Sequence, residues 1–214
     1  MTRKTRRKEI TMVFDGFTPY DPEAAELYNK KRWWLGMTLG DMFDKKCDLY
    51  PNREGLVGSG KRYNFSQFRT VVDTLAYNLI QEGFRAGETV LLQLPNWVEY
   101  PISYYALLKA ALVPVLLTVN HTAREIGHLA NLTQPKGWIV PDQYRKTDYR
   151  PVIKQVKEEN PGLTKVIVVG EDIPGGCLPF ARLEEAGVSA EEIRDTLEKA
   201  RPDPGDVCQI LPSG

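Results

Sequence analysis

Residues 89–94 (TVLLQL) and residues 165–169 (KVIVV) are short runs in which aliphatic side chains dominate. Two further runs lie between them, at residues 115–119 (VLLTV) and 138–140 (WIV). All four are too short for a buried helix and rich in aliphatic or β-branched residues, so they are predicted to be strands. Continuous apolar strands of this kind are typical of a parallel sheet covered on both faces.

Helices are predicted between these strands, at residues 99–111, 123–132 and 150–159. Thr122 stands where a capping residue would begin the second of them. Strands that alternate with helices indicate an α/β fold, here a doubly wound, mostly parallel sheet with flanking helices. Further along the chain we expect a loop at 171–183, an amphipathic helix at 189–200 and one more strand at 207–211.

The region before the sheet is predicted to hold three helices and an amino-terminal hairpin. Asp21 with Pro22 is a typical helix start, and Thr38 with Asp41 has the spacing of a capping box. The predicted elements are helices over residues 22–31, from residue 38, and from Ser66 to before Gly83, and a hairpin over 55–65 that turns at Gly58, Ser59 and Gly60. The adjacent Trp33 and Trp34 are expected to pack into the core.

Composition excludes several classes of protein. The 214 residues include 28 Lys and Arg against 28 Asp and Glu, which argues against a nucleic-acid-binding protein, and 42% hydrophobic residues argue against intrinsic disorder. The most apolar stretch, residues 104–119, is shorter than the ~20 residues of a membrane span. Residues 1–16 are expected to be a basic, disordered, solvated tail, with a weak contact to an anionic surface as the alternative, and the first eight residues contain no apolar signal segment. Three cysteines without a paired spacing predict a cytoplasmic location.

The cysteines and the GSGK segment are only weak evidence for a chemical function. Cys47, Cys177 and Cys208 are far apart, which indicates free thiols rather than a disulfide framework or a zinc site, and a reactive thiol at Cys177 is the less favoured interpretation. Residues 58–61 (GSGK) lack the spacing of a phosphate-binding Walker loop, because Arg62 stands where Ser or Thr is required. A hairpin turn is the favoured interpretation.

Two positions near predicted strand ends are candidate binding residues. Ser213 and Gly214 follow the predicted last strand, as small residues do at the start of a loop that wraps phosphate oxygens. His121 follows the strand predicted at 115–119, and ligand crevices in α/β folds open at the carboxyl ends of strands. A structural histidine is the alternative interpretation for His121, whereas His128 is expected to be solvated or to serve packing.

The order of several motifs resembles the amino-terminal part of AMP-forming acyl- and aryl-acid ligases, a superfamily that includes acyl-CoA synthetases, peptide synthetase adenylation domains and luciferases. The motifs are residues 63–68 (YNFSQF), 87–96 (GETVLLQLPN), 105–110 (YALLKA) with Pro114 and Val115, and 122–126 (TAREI). The 2,3-dihydroxybenzoate-AMP ligase branch is most similar, through residues 17–20 (FTPY), His121, 139–142 (IVPD), 148–150 (DYR) and 165–171 (KVIVVGE).

This resemblance implies an ATP-dependent ligase in which Ser213 and Gly214 contact ATP phosphates and His121 is a cleft residue. ATP and Mg²⁺ would serve the intact enzyme, with CoA or a carrier-protein phosphopantetheine as acceptor and a small carboxylic acid, by analogy an aryl acid, as substrate. Residues 17–214 would be an amino-terminal subdomain that ends inside the phosphate loop. It would contain no catalytic or metal-binding residue, hold no cofactor tightly and be inactive without the remainder of the ligase.

A second hypothesis stays open: a stand-alone, non-catalytic α/β binding or interaction module that has kept the scaffold and lost the chemistry. The oligomeric state, including a homo-oligomer, is equally open. Neither hypothesis involves a nucleic acid or a membrane as partner.

Overall fold

The computed structural model describes residues 18, 20–58 and 60–212. The predictions for the tail at 1–16, for Ser59 and for Ser213 and Gly214 therefore lie outside the described residues. The strands are β1 (Glu54–Gly58), β2 (Lys61–Asn64), β3 (Thr89–Leu92), β4 (Val113–Leu116), β5 (Gly137–Pro141), β6 (Gln143–Tyr144), β7 (Thr147–Asp148), β8 (Lys165–Val169) and β9 (Leu178–Pro179). The helices are α1 (Pro22–Lys30), α2 (Leu39–Leu49), α3 (Phe65–Gln81), α4 (Glu99–Lys109), α5 (Ala123–Thr133), α6 (Arg150–Glu159), α7 (Phe180–Leu183) and α8 (Ala190–Ala200).

The centre of the fold is a parallel sheet of five strands in the order β4-β3-β5-β8-β9. The side chains of each strand pack alternately into two cores, one on each face of the sheet, because successive side chains point to opposite faces. Leu91, Trp138 and Val166 pack with α5 and α6 on one face. Val90 and Ile139 pack with α2, α3, α4, α7 and α8 on the other. The predicted doubly wound α/β fold is confirmed.

The predicted helix starts are also confirmed at two sites. The Asp21 carboxylate accepts a hydrogen bond from the Ala24 N–H (2.9 Å), and Thr38 and Asp41 form a reciprocal capping box. Helix α3 begins one residue earlier than predicted, since Asn64 and Gln67 supply its capping box and leave Ser66 inside the helix. β1 and β2 form the predicted antiparallel hairpin.

Four sequence predictions were wrong in detail. The strand predicted at 115–119 runs from Val113 to Leu116. Pro114, which has no N–H, is accommodated because β4 is the edge strand of the five-stranded sheet, and its carbonyl accepts from Ile210 N (2.9 Å). Residues 207–211 make a single bridge to β4, through Ile210, instead of a strand. The loop predicted at 171–183 contains β9 and α7, whose Phe180 is buried.

The fourth error concerns the tryptophan pair. Trp33 is 66% exposed, and within the part of the chain that the structure describes no residue of α1 is buried. Trp34 packs edge-on against Tyr20 and Tyr28, with ring centroids 4.9 and 5.2 Å away. The aromatic rings therefore pack on one another beside α1 rather than in either core, and the expectation of core packing does not hold for Trp33.

Helix α2 is held by a stripe of carboxylates. Asp41, Asp44 and Asp48 lie on one face, at positions i, i+3 and i+7. Their partners come from three other segments: Arg201 after α8 (2.7 Å), Lys109 at the end of α4 (2.7 Å) and Arg69 of α3. These side chains line a cavity of about 910 Å³ between α2, α3, α4 and α8.

Asp73 of α3 is the second acid beside Lys109, at 2.5 Å from its ammonium group. The contact is made by the Oδ1 atom of Asp73, which is buried. Burial raises the pKa of Asp73, and the Lys109 charge opposes that shift. By contrast, the Arg201 hydrogen bond, with help from the Thr38 N–H, lowers the pKa of Asp41. Two acids of one cavity are thus shifted in opposite directions.

We expect opposite pH dependences when each acid is replaced by its amide. A carboxyl group with a raised folded-state pKa loses its stabilising contribution as the pH rises, and one with a lowered pKa loses it as the pH falls. The free energy of unfolding of the wild type should therefore fall relative to Asp73→Asn as the pH rises above about 4. Relative to Asp41→Asn it should fall as the pH drops below about 4.

Urea denaturation between about pH 3 and pH 7 measures both differences. The Asp41 effect should stay below about 1 kcal/mol, because solvent screens its exposed partner. A wild type that gains stability over Asp73→Asn as the pH rises would show that the attraction of Lys109 exceeds the cost of burial.

Candidate functional site

The carboxyl ends of the parallel strands meet at one edge of the sheet, and the segments that follow them carry polar groups. Gln93 follows β3 directly and is fully buried. Residues 117–121 follow β4 and lead into α5, and Asp142 follows β5. Ligands of open α/β sheets bind at such an edge, so we take it as the candidate site.

Residues 117–121, which we call the His121 loop, make hydrogen bonds to three other parts of the fold. Its first residue, Leu117, donates from its backbone N–H to Leu92 O (2.9 Å). The Tyr149 hydroxyl donates to Val119 O (2.7 Å) from the start of α6. The Gln93 side chain donates to Thr118 O (2.9 Å) and His121 O (3.3 Å). The loop is thus fixed by the sheet and α6 together.

His121 lies in this loop, five residues after the observed end of β4 rather than two after a longer strand. Its side chain is half-buried, and its Nδ1 atom is buried without a hydrogen-bond partner within the described part of the chain. A buried polar atom without a partner costs stability. Within the described residues Nδ1 makes no bond to backbone, and the cleft role of His121 stays a prediction.

His121 lines a groove of about 690 Å³ at the start of α5. The other lining residues are Thr122, Arg124, Glu125, His128, Leu129 and Pro212. The Thr122 backbone N–H and hydroxyl both bind the Glu125 carboxylate (2.7 and 3.0 Å), and these bonds lower the pKa of Glu125. The start of α5 therefore carries its own anion, and Arg124 is a permanently charged base in the lining of the same groove.

The groove links residues that are far apart in the sequence. His128 lines the groove and is exposed, in keeping with a solvated residue. Pro212 also lines the groove and directly precedes Ser213 and Gly214. The phosphate contacts of Ser213 and Gly214 remain a prediction, because both residues lie outside the described part. The structure therefore brings His121 to the residue before the predicted phosphate loop.

A second edge loop is built around Asp142. Its carboxylate accepts from the backbone N–H groups of Glu171 and Asp172 (2.9 and 3.0 Å), which follow β8. Gly170 makes this approach possible: its φ is +147°, and a Cβ there would lie 2.0 Å from Asp142 Cγ. Neither Gln93 nor Asp142 was predicted as a site residue. Gln93 lay inside the strand predicted at 89–94, whereas β3 ends at Leu92, and Asp142 follows β5, which ends one residue later than the strand predicted at 138–140.

The weaker motifs show structural roles. Lys61 of the GSGK segment pairs with Glu99 of α4 (2.9 Å), so it ties the hairpin to the body as expected for a turn. Burial raises the pKa of the Cys47 thiol to about 11 and also raises that of Cys177. Raised values keep these thiols protonated at neutral pH, which argues against a reactive thiol at Cys177. Among the described residues, no group of three or more His, Cys, Asp and Glu side chains has the arrangement of a metal site, and no helix is long and apolar enough to cross a membrane.

Comparison with known proteins identifies relatives of the whole described region. The model of a family described as AMP-binding enzyme matches residues 43–214. The chain is 32% identical to a salicyl-AMP ligase / salicyl-S-ArCP synthetase of Mycobacterium tuberculosis, over 93% of this chain and 35% of the relative. It is 30% identical to a 2,3-dihydroxybenzoate-AMP ligase of Bacillus subtilis, over 86% of this chain and 34% of the relative.

Among solved structures, the apo structure of Mycobacterium smegmatis MbtA superposes with a TM-score of 0.83 at 24% identity, over 94% of this chain and 36% of that one. At this identity the superposition supports the fold alone. The chain spans about a third of the length of the curated relatives it matches.

We expect Gly170→Ala to destabilise the chain by about 2 kcal/mol or more. Alanine is strained at this positive φ, and its Cβ would overlap the Asp142 carboxyl group. Thermal unfolding measures the loss. Gly162→Ala is the matched control, since a Cβ at Gly162 meets no atom within 4 Å among the described residues. Equal melting temperatures for both variants would contradict the close approach of Asp142.

Proposed function

The chain belongs to the AMP-binding enzyme family, and on this basis we propose that residues 17–214 are the amino-terminal part of an ATP-dependent ligase for a small carboxylic acid. The observation that carries the proposal is the groove at the carboxyl edge of the sheet, where His121 lies within reach of the segment that leads to Ser213 and Gly214. The ligase would work in the cytoplasm.

In the proposed reaction, a carboxylate oxygen of the acid attacks the α-phosphorus of ATP. The bond from that phosphorus to the bridging oxygen breaks, and the products are an acyl-adenylate and pyrophosphate. A thiol then attacks the acyl carbon, loses its proton and releases AMP. Because the first nucleophile is already an anion, the protein need not supply a strong base. It must position the reactants and neutralise phosphate charge, and bound Mg²⁺ would add to that neutralisation.

The roles proposed for this chain follow from where its polar groups lie. Ser213 and Gly214 would contact ATP phosphates, since small residues let backbone N–H groups approach phosphate oxygens. His121 would form one wall of the cleft with an imidazole nitrogen still free to bind. We assign no catalytic residue and no metal ligand to this part of the ligase, so any tight binding of ATP needs further residues.

The proposed substrate is an aryl acid. The relatives named above act, by their names, on salicylate or 2,3-dihydroxybenzoate. Both are hydroxylated benzoates, which supports this class over fatty acids for the present chain. The acceptor would be CoA or the phosphopantetheine of a carrier protein, and the name of the salicyl-S-ArCP synthetase points to a carrier protein for that relative.

One observation favours the second candidate, a stand-alone binding module. Both faces of the central sheet are covered, with a core cluster on each side, so the described residues need no further layer to bury their strands. The reading frame beyond codon 214 separates the two candidates. A frame that continues with a Thr-, Ser- and Gly-rich run followed by Lys supports the ligase, and a natural stop codon supports the module.

We expect the 214-residue chain alone to give no ATP–pyrophosphate exchange with any carboxylic acid. The product of the complete reading frame should give exchange with salicylate or 2,3-dihydroxybenzoate and much less with a fatty acid. Isotope exchange into ATP measures both. Exchange catalysed by the isolated chain would overturn the proposal that activity needs further residues of the ligase. A complete product that is inactive with every aryl acid would overturn the proposed substrate class.

In the complete protein, His121→Ala should lower the rate of pyrophosphate exchange about tenfold to a hundredfold, because it removes a side chain that positions reactants in the cleft. Leu132→Ala is the control: Leu132 lies on α5, the helix that follows the His121 loop, is 67% exposed and does not line the groove in the described part of the chain. Exchange kinetics that are unchanged in His121→Ala would remove His121 from the site.

A further inference from the structure

Gln93 is a fully buried polar residue at the point where β3 ends. Its side-chain Nε2 reaches across to the His121 loop and donates to two carbonyl oxygens, Thr118 O (2.9 Å) and His121 O (3.3 Å). The same loop is closed by a turn in which His121 N donates to Thr118 O (3.2 Å). One amide group therefore spans both ends of the turn that presents the His121 ring.

This arrangement is costly for the fold. Gln93 Oε1 is buried and finds no hydrogen-bond partner among the residues that the structure describes. A buried polar atom without a partner lowers stability, and an apolar side chain of similar length would avoid that cost. The benefit of a glutamine here must therefore come from the two bonds that its Nε2 makes to the loop.

The other hydrogen bonds of the loop lie elsewhere along it. At its beginning Leu117 N donates to Leu92 O, and at its middle Val119 O accepts from the Tyr149 hydroxyl. Within the described residues, the side-chain hydrogen bond to the His121 backbone comes from Gln93. Release of Gln93 should therefore free the end of the loop that carries the imidazole and leave its beginning in place.

We propose that Gln93 is a positioning residue for the candidate site, which sets the place of the His121 ring through the loop and does not itself touch substrate. The proposal rests on the proposed function in taking His121 as a cleft residue. Its geometric part concerns this chain alone and can be measured without ATP or any acid, so its failure is separable from a failure of the ligase assignment.

The test uses NMR on the 214-residue chain labelled at histidine. The chain has 2 histidines, His121 and His128, so each ring gives its own signals. In Gln93→Met, which keeps the length of the side chain and removes both donors, the His121 ring signals should shift and broaden. Hydrogen exchange of the His121 backbone amide should accelerate about tenfold or more. The exposed His128 ring serves as the internal reference.

Thr89→Val is the matched control. Thr89 is the first residue of β3, the strand that Gln93 follows, is also buried, and donates one side-chain hydrogen bond to Thr133 O (2.7 Å) at the opposite end of β3. This variant should lose stability without moving the His121 signals. If the His121 ring and amide respond alike in Gln93→Met and Thr89→Val, the loop senses general destabilisation and the proposal is wrong.

Two further measurements keep the proposal testable if Gln93→Met does not fold. In Gln93→Glu the introduced carboxyl group can donate a hydrogen bond only when it is protonated, so the wild-type His121 signals should return as the pH is lowered. In the wild type, the side-chain amide protons of Gln93 should exchange at least tenfold more slowly than those of the exposed Gln67, as expected for buried, bonded donors. Free exchange of these protons, or a Gln93→Glu variant indifferent to pH, overturns the proposal.

Discussion

The hydrogen-bonded pairing of β3, β5 and β8 is the constraint on which the rest of the structure depends. In a parallel pairing every strand runs in the same direction, so each connection must lead back to the edge of the sheet where the next strand begins. Helices in these connections cover both faces of the sheet. Each strand then divides its side chains between two cores, as Leu91 and Leu92 do. The same constraint brings the strand ends to one edge, which is why the polar segments meet there.

Two regions of the fold, the helices around α2 and the carboxyl edge of the sheet, pair their buried polar groups differently. Near α2, carboxylates meet bases from other helices, and Lys109 between Asp44 and Asp73 is the most enclosed example. At the carboxyl edge, side chains instead bind loop backbone, as Gln93 and Tyr149 do for the His121 loop. The ion pairs near α2 hold the helices against one another. The side-chain donors at the carboxyl edge hold individual loops in place.

Two buried polar atoms near the candidate site, His121 Nδ1 and Gln93 Oε1, lack hydrogen-bond partners among the described residues. Ser103 Oγ and Trp138 Nε1 share this property elsewhere in the fold, whereas Gln93 and His121 are joined by a hydrogen bond. Such atoms cost free energy that packing alone would not justify. A ligase of this family works by holding anionic reactants, and a wall with unused hydrogen-bonding capacity suits that task.

Local signals in the sequence determined the elements and their order. Apolar runs identified β3, β5 and β8, and the Thr38–Asp41 pair identified the start of α2, because strand formation in a core and helix capping depend on residues close together in the chain. His121 could be proposed as a site residue for the same reason, since it follows an apolar run. The start of β4 at Val113 was missed because Pro114 is an unfavourable strand residue, and the exposure of Trp33 was not predicted. Both depend on neighbours that are distant in the sequence.

What only the tertiary structure decided is which distant residues meet. The approach of Pro212 to His121, the clamp of Gln93 on the His121 loop and the carboxylate of Asp142 beneath Gly170 join segments more than twenty residues apart. Sequence periodicity carries no information on such pairs, because it describes how one segment faces the core and not which other segment lies opposite. The parallel register of the sheet supplies that information by carrying each strand end to a common edge.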